Sequence, residues 1–180
     1  MRSGRRSAFR AEVRKGMAKN LSPHDKARER AYRLLAVRAR SERELRAKLK
    51  ERGFEEPVVE EVTARLRELN YLDDESFARQ WARNLAVNRL LGNRRIAASL
   101  SEKGIRDQLI RQVLSEVREE LSEEEAVFRL IRKKMDKKTA KMDDKEKRRL
   151  AQSLMGKGFP PGLVFDILKR SKEDFIDEGE

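Results

Sequence analysis

Cysteine is absent from the 180 residues. That removes disulfides, Cys-ligated metals and thiol chemistry. Histidine occurs once, as His24, in the polar stretch before the first expected helix. A lone imidazole with no Cys or second His makes a metal site or a His-based nucleophilic site improbable. No glycine-rich loop has P-loop spacing, so no cofactor is expected. Aromatics are only 6% of the chain, so a core must rest on aliphatic side chains. No apolar run approaches the length of a membrane span, and no membrane partner is expected. The first twenty residues, "MRSGRRSAFRAEVRKGMAKN", lack the apolar stretch of a secretory signal. With seven Lys/Arg against one Glu, they fit a flexible basic arm (1–24) better than an organelle transit peptide. A cytoplasmic protein is the expectation.

Charge is what the chain has in abundance. Charged residues make up 42%, and the formal net charge is +12. The heavy use of Ala, Glu, Lys, Leu and Arg points to an all-α protein. The net charge favours an acidic partner, either nucleic acid or an acidic protein surface. A merely solvated surface is the alternative, and charge alone does not separate the two.

A pattern recurs around three glycines. The first copy reads Leu45, Leu49, Gly53, Phe54, Val58, Val59, Val62; the second reads Ile96, Leu100, Gly104, Ile105, Leu109, Ile110, Val113. The third reads Leu150, Leu154, Gly158, Phe159, Leu163, Val164, Ile167. The glycines lie 51 and 54 residues apart, a period that signals tandem helical units. Apolar residues four apart place one stripe on a helix. A glycine at the helix end can take the left-handed conformation that closes it. Arg52, Lys103 and Lys157 precede the glycines, where positive charge suits the helix C-terminus. Pro57 and Pro161 fit the first turn of the helix that follows.

A further helix precedes each pair. Its stripes are Ala27, Ala31, Leu34, Leu35; then Phe77, Ala78, Trp81, Ala82, Leu85; then Val127, Leu130, Ile131, Met135. Asp73 can cap the second of these, with Leu72 and Phe77 placed as a hydrophobic staple. Ser122 with Glu125, and Ser41 with Glu44, have capping-box spacing. The expected architecture is three tandem three-helix repeats, residues 25–70, 71–121 and 122–170, in an elongated modular arrangement. An acidic tail, 171–180, follows. Each repeat is of about 50 residues, marginal for independent stability.

Catalytic candidates are few. Asp73–Asp74 is the most catalytic-looking pair, and a DNA-acting enzyme would use these carboxylates, with Mg2+ as the metal they would bind. A helix cap plus a first-turn acid explains the pair better, and Asp74→Asn is expected to be nearly silent. Trp81 and Phe77 sit at core spacing, which favours burial over base stacking. Three basic segments stand out: the arm, "NRLLGNRR" (88–95), and 132–149 with ten Lys/Arg against four acids. Gly92 joins two helices inside the middle segment, so Gly92→Ala is expected to change binding more than stability. A DNA-binding helix-turn-helix is a second reading of the paired helices. The helix after each glycine would then enter the major groove and should offer Arg, Lys, Asn or Gln. "EEPVVEEV" in the first repeat would repel phosphates, and "PPGLVFDIL" in the third is largely apolar. Only "RDQLIRQVL" in the second is tolerable.

The segments "RARSERELRAKLKERGF" (38–54), "YLDDESFARQWA" (71–82) and "GNRRIAASLSEKGI" (92–105) resemble the bacterial regulatory protein RecX family. The resemblance covers about residues 25–170, and "RRLAQSLMGKGF" in the third repeat matches more loosely. Tyr71, Leu72, Asp73, Asp74 and Phe77, then Gly92 and Gly104, carry it in order. Asn70 stands where the family commonly has Gly, and the stretch before Asp25 has no counterpart. The resemblance implies tandem three-helix repeats. It also implies a non-enzymatic, monomeric regulator that binds the RecA recombinase, chiefly as its filament on single-stranded DNA. Such a regulator damps recombination, ATP hydrolysis and the SOS co-protease activity. The alternative is an autonomous DNA-binding protein with helix-turn-helix-like repeats. Expected partner-binding residues, for filament or DNA, are Arg40, Arg89, Arg94 and Arg95 in the family-like segments. Lys133, Lys134, Lys137 and Lys138 join them by charge alone.

Overall fold

A computed structural model of the chain describes residues 21–135 and 143–173. Lys137 and Lys138, most of the arm, the tail beyond residue 173 and the Met135 side chain lie outside the described residues. Nine α-helices and no strand occur among the described residues. They are α1 (Pro23–Val37), α2 (Glu42–Lys50), α3 (Glu56–Glu68), α4 (Asp74–Arg83), α5 (Asn93–Glu102), α6 (Asp107–Glu120), α7 (Glu123–Met135), α8 (Asp144–Gly156) and α9 (Pro161–Glu173). A short π-helical turn, Asn84–Asn88, continues α4. The chain divides into two compact units, one up to Phe77 and one from Ala78 onward, so the division falls inside α4.

The repeated glycines close helices as their pattern predicts. Gly53 and Gly104 have φ of 81° and Gly158 has φ of 95°. Each glycine N–H donates to the carbonyl three residues back, at 2.9 Å in all three copies. The next residue donates to the carbonyl five back: Phe54 to Leu49 at 3.4 Å, Ile105 to Leu100 at 3.1 Å, Phe159 to Leu154 at 3.4 Å. This is the Schellman pairing, which satisfies two orphan carbonyls at a helix end. A fourth copy ends α3, where Asn70 takes φ of 55° and Tyr71 donates to Leu66 at 2.9 Å.

The apolar stripes are buried accordingly. In the first unit Ala27, Ala31, Leu45, Leu49, Val59 and Leu66 form one core, joined by Leu72. Tyr71 packs beside it with its ring edge-on to Tyr32. In the second unit Val127, Ile131, Leu150, Leu154, Phe159, Val164 and Ile167 form another core. Ile96, Leu100, Ile105, Ile110 and Val113 are also buried. Each large aliphatic side chain so placed contributes about 1.5–3 kcal/mol. Leu72 and Phe77, the staple positions, are both buried.

Several expectations need correction. His24 lies within the first turn of α1, because Ser22 rather than a later residue caps that helix. Trp81 is only half-buried; its indole N–H donates to Ser99 Oγ at 3.0 Å, and the Lys103 ammonium sits 4.4 Å from the ring centre. Burial at that helical position stops short because the indole N–H keeps a hydroxyl partner and the ring face meets an ammonium group. Gly92 is buried, and a Cβ there would fall 2.4 Å from the Gly158 carbonyl carbon and oxygen. Its N–H donates to the Lys157 carbonyl at 3.0 Å. Gly92 is therefore a close-approach glycine, and its substitution is primarily a packing defect.

The helix starts are capped largely as the sequence suggests. Ser41 Oγ accepts from the Glu44 N–H at 3.2 Å, and Ser122 Oγ from the Glu125 N–H at 3.0 Å. The reciprocal carboxylates turn elsewhere: Glu44 takes the Arg38 fork and Glu125 takes Arg129. Asp143 and Glu146 form a complete capping box on α8. Asp73 accepts from the N–H groups of Glu75 at 2.9 Å and Ser76 at 3.0 Å.

Candidate partner-binding surface

Asp73 and Asp74 are the first side chains to place, because they alone suggested catalysis. Asp73 caps its own helix. Asp74 accepts the Glu42 N–H at 2.8 Å, so it closes the start of α2 from 32 residues away. Both carboxylates are engaged by helix N-termini, where negative charge is favoured. Among the described residues, no group of three or more His, Asp or Glu side chains could hold a metal ion. His24 Nδ1 lies 3.0 Å from the Glu61 carboxylate.

The cations separate into two populations. In the first repeat most are paired. Arg46 meets Glu56 and Glu60 at 2.6 Å each and Glu42 at 3.6 Å; Lys50 meets Glu56 at 2.5 Å. Arg28, Arg33, Arg38, Lys48, Arg65 and Arg67 also have carboxylate partners. These contacts hold the Glu56 and Glu60 carboxyls below their ordinary range. For Glu56 the Lys50 hydrogen bond leads and Arg46 follows; for Glu60 Arg46 dominates. In the second repeat Arg79 pairs with Glu116 at 2.9 Å and Arg83 with Glu120 at 2.5 Å, bridging α4 and α6.

The expected partner-binding residues differ in setting. Arg40 is half-buried and donates from Nε to the Leu34 carbonyl at 3.3 Å, fastening the end of α1. Burial lowers its pKa, and the nearby Arg38 adds to that shift. Arg89 follows the π-turn, Arg94 and Arg95 open α5, and Lys133 and Lys134 end α7. All five are exposed, and none has a side-chain hydrogen bond or ion pair among the described residues. The Gly92–Gly158 approach joins the two loops, so the start of α5 at Arg95 and the loop after Lys157 form one group at the backbone. A Cβ on Gly158 would fall 2.5 Å from the Arg95 nitrogen. No hydrogen bond or ion pair among the described residues ties Lys133 or Lys134 to this group.

The side chain that holds this junction was not singled out by the sequence. Arg118, at the end of α6, donates to Asn93 Oδ1 at 2.7 Å, the Leu91 carbonyl at 2.8 Å and the Leu121 carbonyl at 3.1 Å. Burial lowers its pKa, opposed by the Glu123 carboxylate. Glu123 in turn accepts the Asn93 N–H at 2.8 Å. The forked donors of one arginine tie these groups at once. No local signal in "SEVREEL" distinguishes it from its neighbours.

Comparison with known proteins gives a consistent result. Residues 27–66, 73–114 and 122–168 match family models for the first, second and third three-helix domains of RecX. A "Regulatory protein RecX" from Mycobacterium sp. (strain JLS) is 36% identical over 154 residues, covering 81% of this chain and 82% of that protein. A protein of the same name from Streptomyces coelicolor is 33% identical over 158 residues, covering 88% and 82%. The crystal structure of RecX from Lactobacillus salivarius superposes with a TM-score of 0.69 at 22% identity, covering 82% of this chain and 96% of that one.

Proposed function

The chain belongs to the RecX family of regulatory proteins, and on that premise we propose that it regulates the RecA recombinase without being an enzyme itself. It binds the recombinase chiefly as a filament on single-stranded DNA and damps strand exchange, ATP hydrolysis and co-protease activity. The observation that carries this reading is the full run of three RecX domains in one chain. The unpaired cations of the second and third repeats support it, since a filament on DNA offers both acidic side chains and phosphates. Single-stranded DNA is then a secondary partner, the protein acts as a monomer, and its place is the cytoplasm.

The test is stoichiometric. Recombinase ATP hydrolysis on single-stranded DNA is followed while this protein is titrated in. A regulator suppresses turnover at concentrations far too low to coat the DNA. Suppression that appears only when the DNA is saturated favours the autonomous DNA-binding reading instead.

A further inference from the structure

The glycine register aligns more than the core. Ten residues before Gly53, Gly104 and Gly158 stand Arg43, Arg94 and Arg148. Each lies on the second helix of its repeat, α2, α5 or α8. All three are exposed, and none has a side-chain hydrogen bond or ion pair among the described residues. This is unexpected where acids are nearby. Arg43 is flanked by Glu42, which meets Arg46 and Arg67, and by Glu44, which takes Arg38. The adjacent carboxylates are occupied by other cations while Arg43 is left open. Fold geometry does not require an arginine here, because the exposed side chain stands off the buried stripe. A residue that recurs at one register position, exposed and without an internal partner, is one used from outside.

We propose that Arg43, Arg94 and Arg148 are three copies of one contact, each to a phosphate of a nucleic-acid backbone. The guanidinium fork matches a phosphate in two hydrogen bonds. The second and third copies carry another exposed arginine beside the first, Arg95 and Arg149, where the first repeat has Glu44. The contact is therefore weakest in the first repeat and stronger in the other two. No aromatic residue shares these helices, so the contact adds no base stacking, and a contact to phosphate is tolerant of sequence. This inference rests on the residue pattern and is separate from the recombinase reading.

The experiment uses the full chain and a labelled oligo-dT strand, with no recombinase present. Binding is measured by fluorescence anisotropy across a series of salt concentrations. Removing one phosphate-neutralising arginine should flatten the plot of log affinity against log salt by about 0.7 for a single strand. R94A and R148A are each expected to show that step and R43A, beside Glu44, a smaller one, so that the triple variant flattens by about 1.5–2. Lys26 on α1, also exposed and with an unpaired side chain among the described residues, is the control: K26A removes one charge and should leave the slope unchanged. An unchanged slope in the triple variant overturns the proposal, as does absence of dT binding by the parent chain. If the triple variant loses recombinase binding with its dT slope intact, the arginines meet protein carboxylates, and the proposal is also overturned. Failure of the parent chain to suppress ATP hydrolysis would count against the recombinase reading alone, because the slopes are measured without recombinase.

Discussion

At residue scale, glycines that look alike in the sequence have different reasons for being glycine. Gly53 has open space where a Cβ would go, so its φ is the constraint. Gly104 shares that φ of 81°. Gly104→Val is expected to lose about 1–2 kcal/mol through left-handed strain, and, on the proposed function, to weaken filament binding with it. Gly92→Ala has no such φ problem but meets backbone at 2.4 Å. Overpacking of this kind costs about 1–3 kcal/mol. A thermal melt of Gly92→Ala should therefore fall well below that of the parent chain; an unchanged melt would mean that the loops part without cost. Arg118→Met is expected to lose about 1–3 kcal/mol, since three buried or half-buried acceptors lose their donor. Urea unfolding of this variant beside Arg118→Lys would separate the role of fork geometry from that of charge.

At element scale, helix ends explain what was legible. The three Schellman closures involve only residues within five positions of one another, so the glycine pattern displays them in full. Ser41, Asp73 and Ser122 are legible for the same reason: a cap and its N–H are three residues apart or fewer. Asp74, Glu123 and Arg118 act on groups 25 to 32 residues away, and nothing local marks them. The same limit explains Gly92, whose constraint comes from the Gly158 backbone. Of the expected surface, exposure of Arg94 and Arg95 follows from their position opposite the Ile96–Leu100 stripe. The half-burial of Arg40 depends on the path of the loop back to Leu34. One element-level change should stabilise. Asn70→Gly keeps the closure of α3 and removes the left-handed cost of a side chain, which for Asn is at most about 1 kcal/mol. Its denaturant midpoint is expected to rise.

At the scale of the whole molecule, charge pairing sets the response to pH. The Glu56 and Glu60 carboxyls titrate below their ordinary value of 4.5 when folded. A depressed folded pKa means that the unfolded state binds protons first. The associated stability is present above pH 4.5 and is lost as pH falls through the lower folded value. Melting temperature should therefore decline below pH 4.5, and Arg46→Gln should flatten that decline, because Arg46 lowers both groups. Both carboxylates are exposed, so added salt should flatten it too. An Arg46→Gln variant with the parent pH profile would show that the first-repeat pairs are unimportant to folding.

The two long-range caps carry a consequence for the order in which the chain is made. Glu42 and Asn93 occupy the same register position, and each N–H is closed by an acid at the opening of the following repeat, Asp74 or Glu123. At the matching position in the third repeat, α8 has already begun. It starts at Asp144, and the Lys147 N–H bonds within the helix to the Asp143 carbonyl at 3.0 Å. On the ribosome, then, the Glu42 N–H at the start of α2 stays unmet until Asp74 has emerged, although Ser41 already caps Glu44, and the Asn93 N–H of α5 stays unmet until Glu123 has emerged. The third repeat waits for nothing beyond itself, since Asp143 and Glu146 seal α8 as soon as its first turn is out. Each of the first two repeats is finished only by the opening residues of its successor. A synthesis stalled between repeats therefore releases a chain whose newest three-helix unit is the one left unsealed.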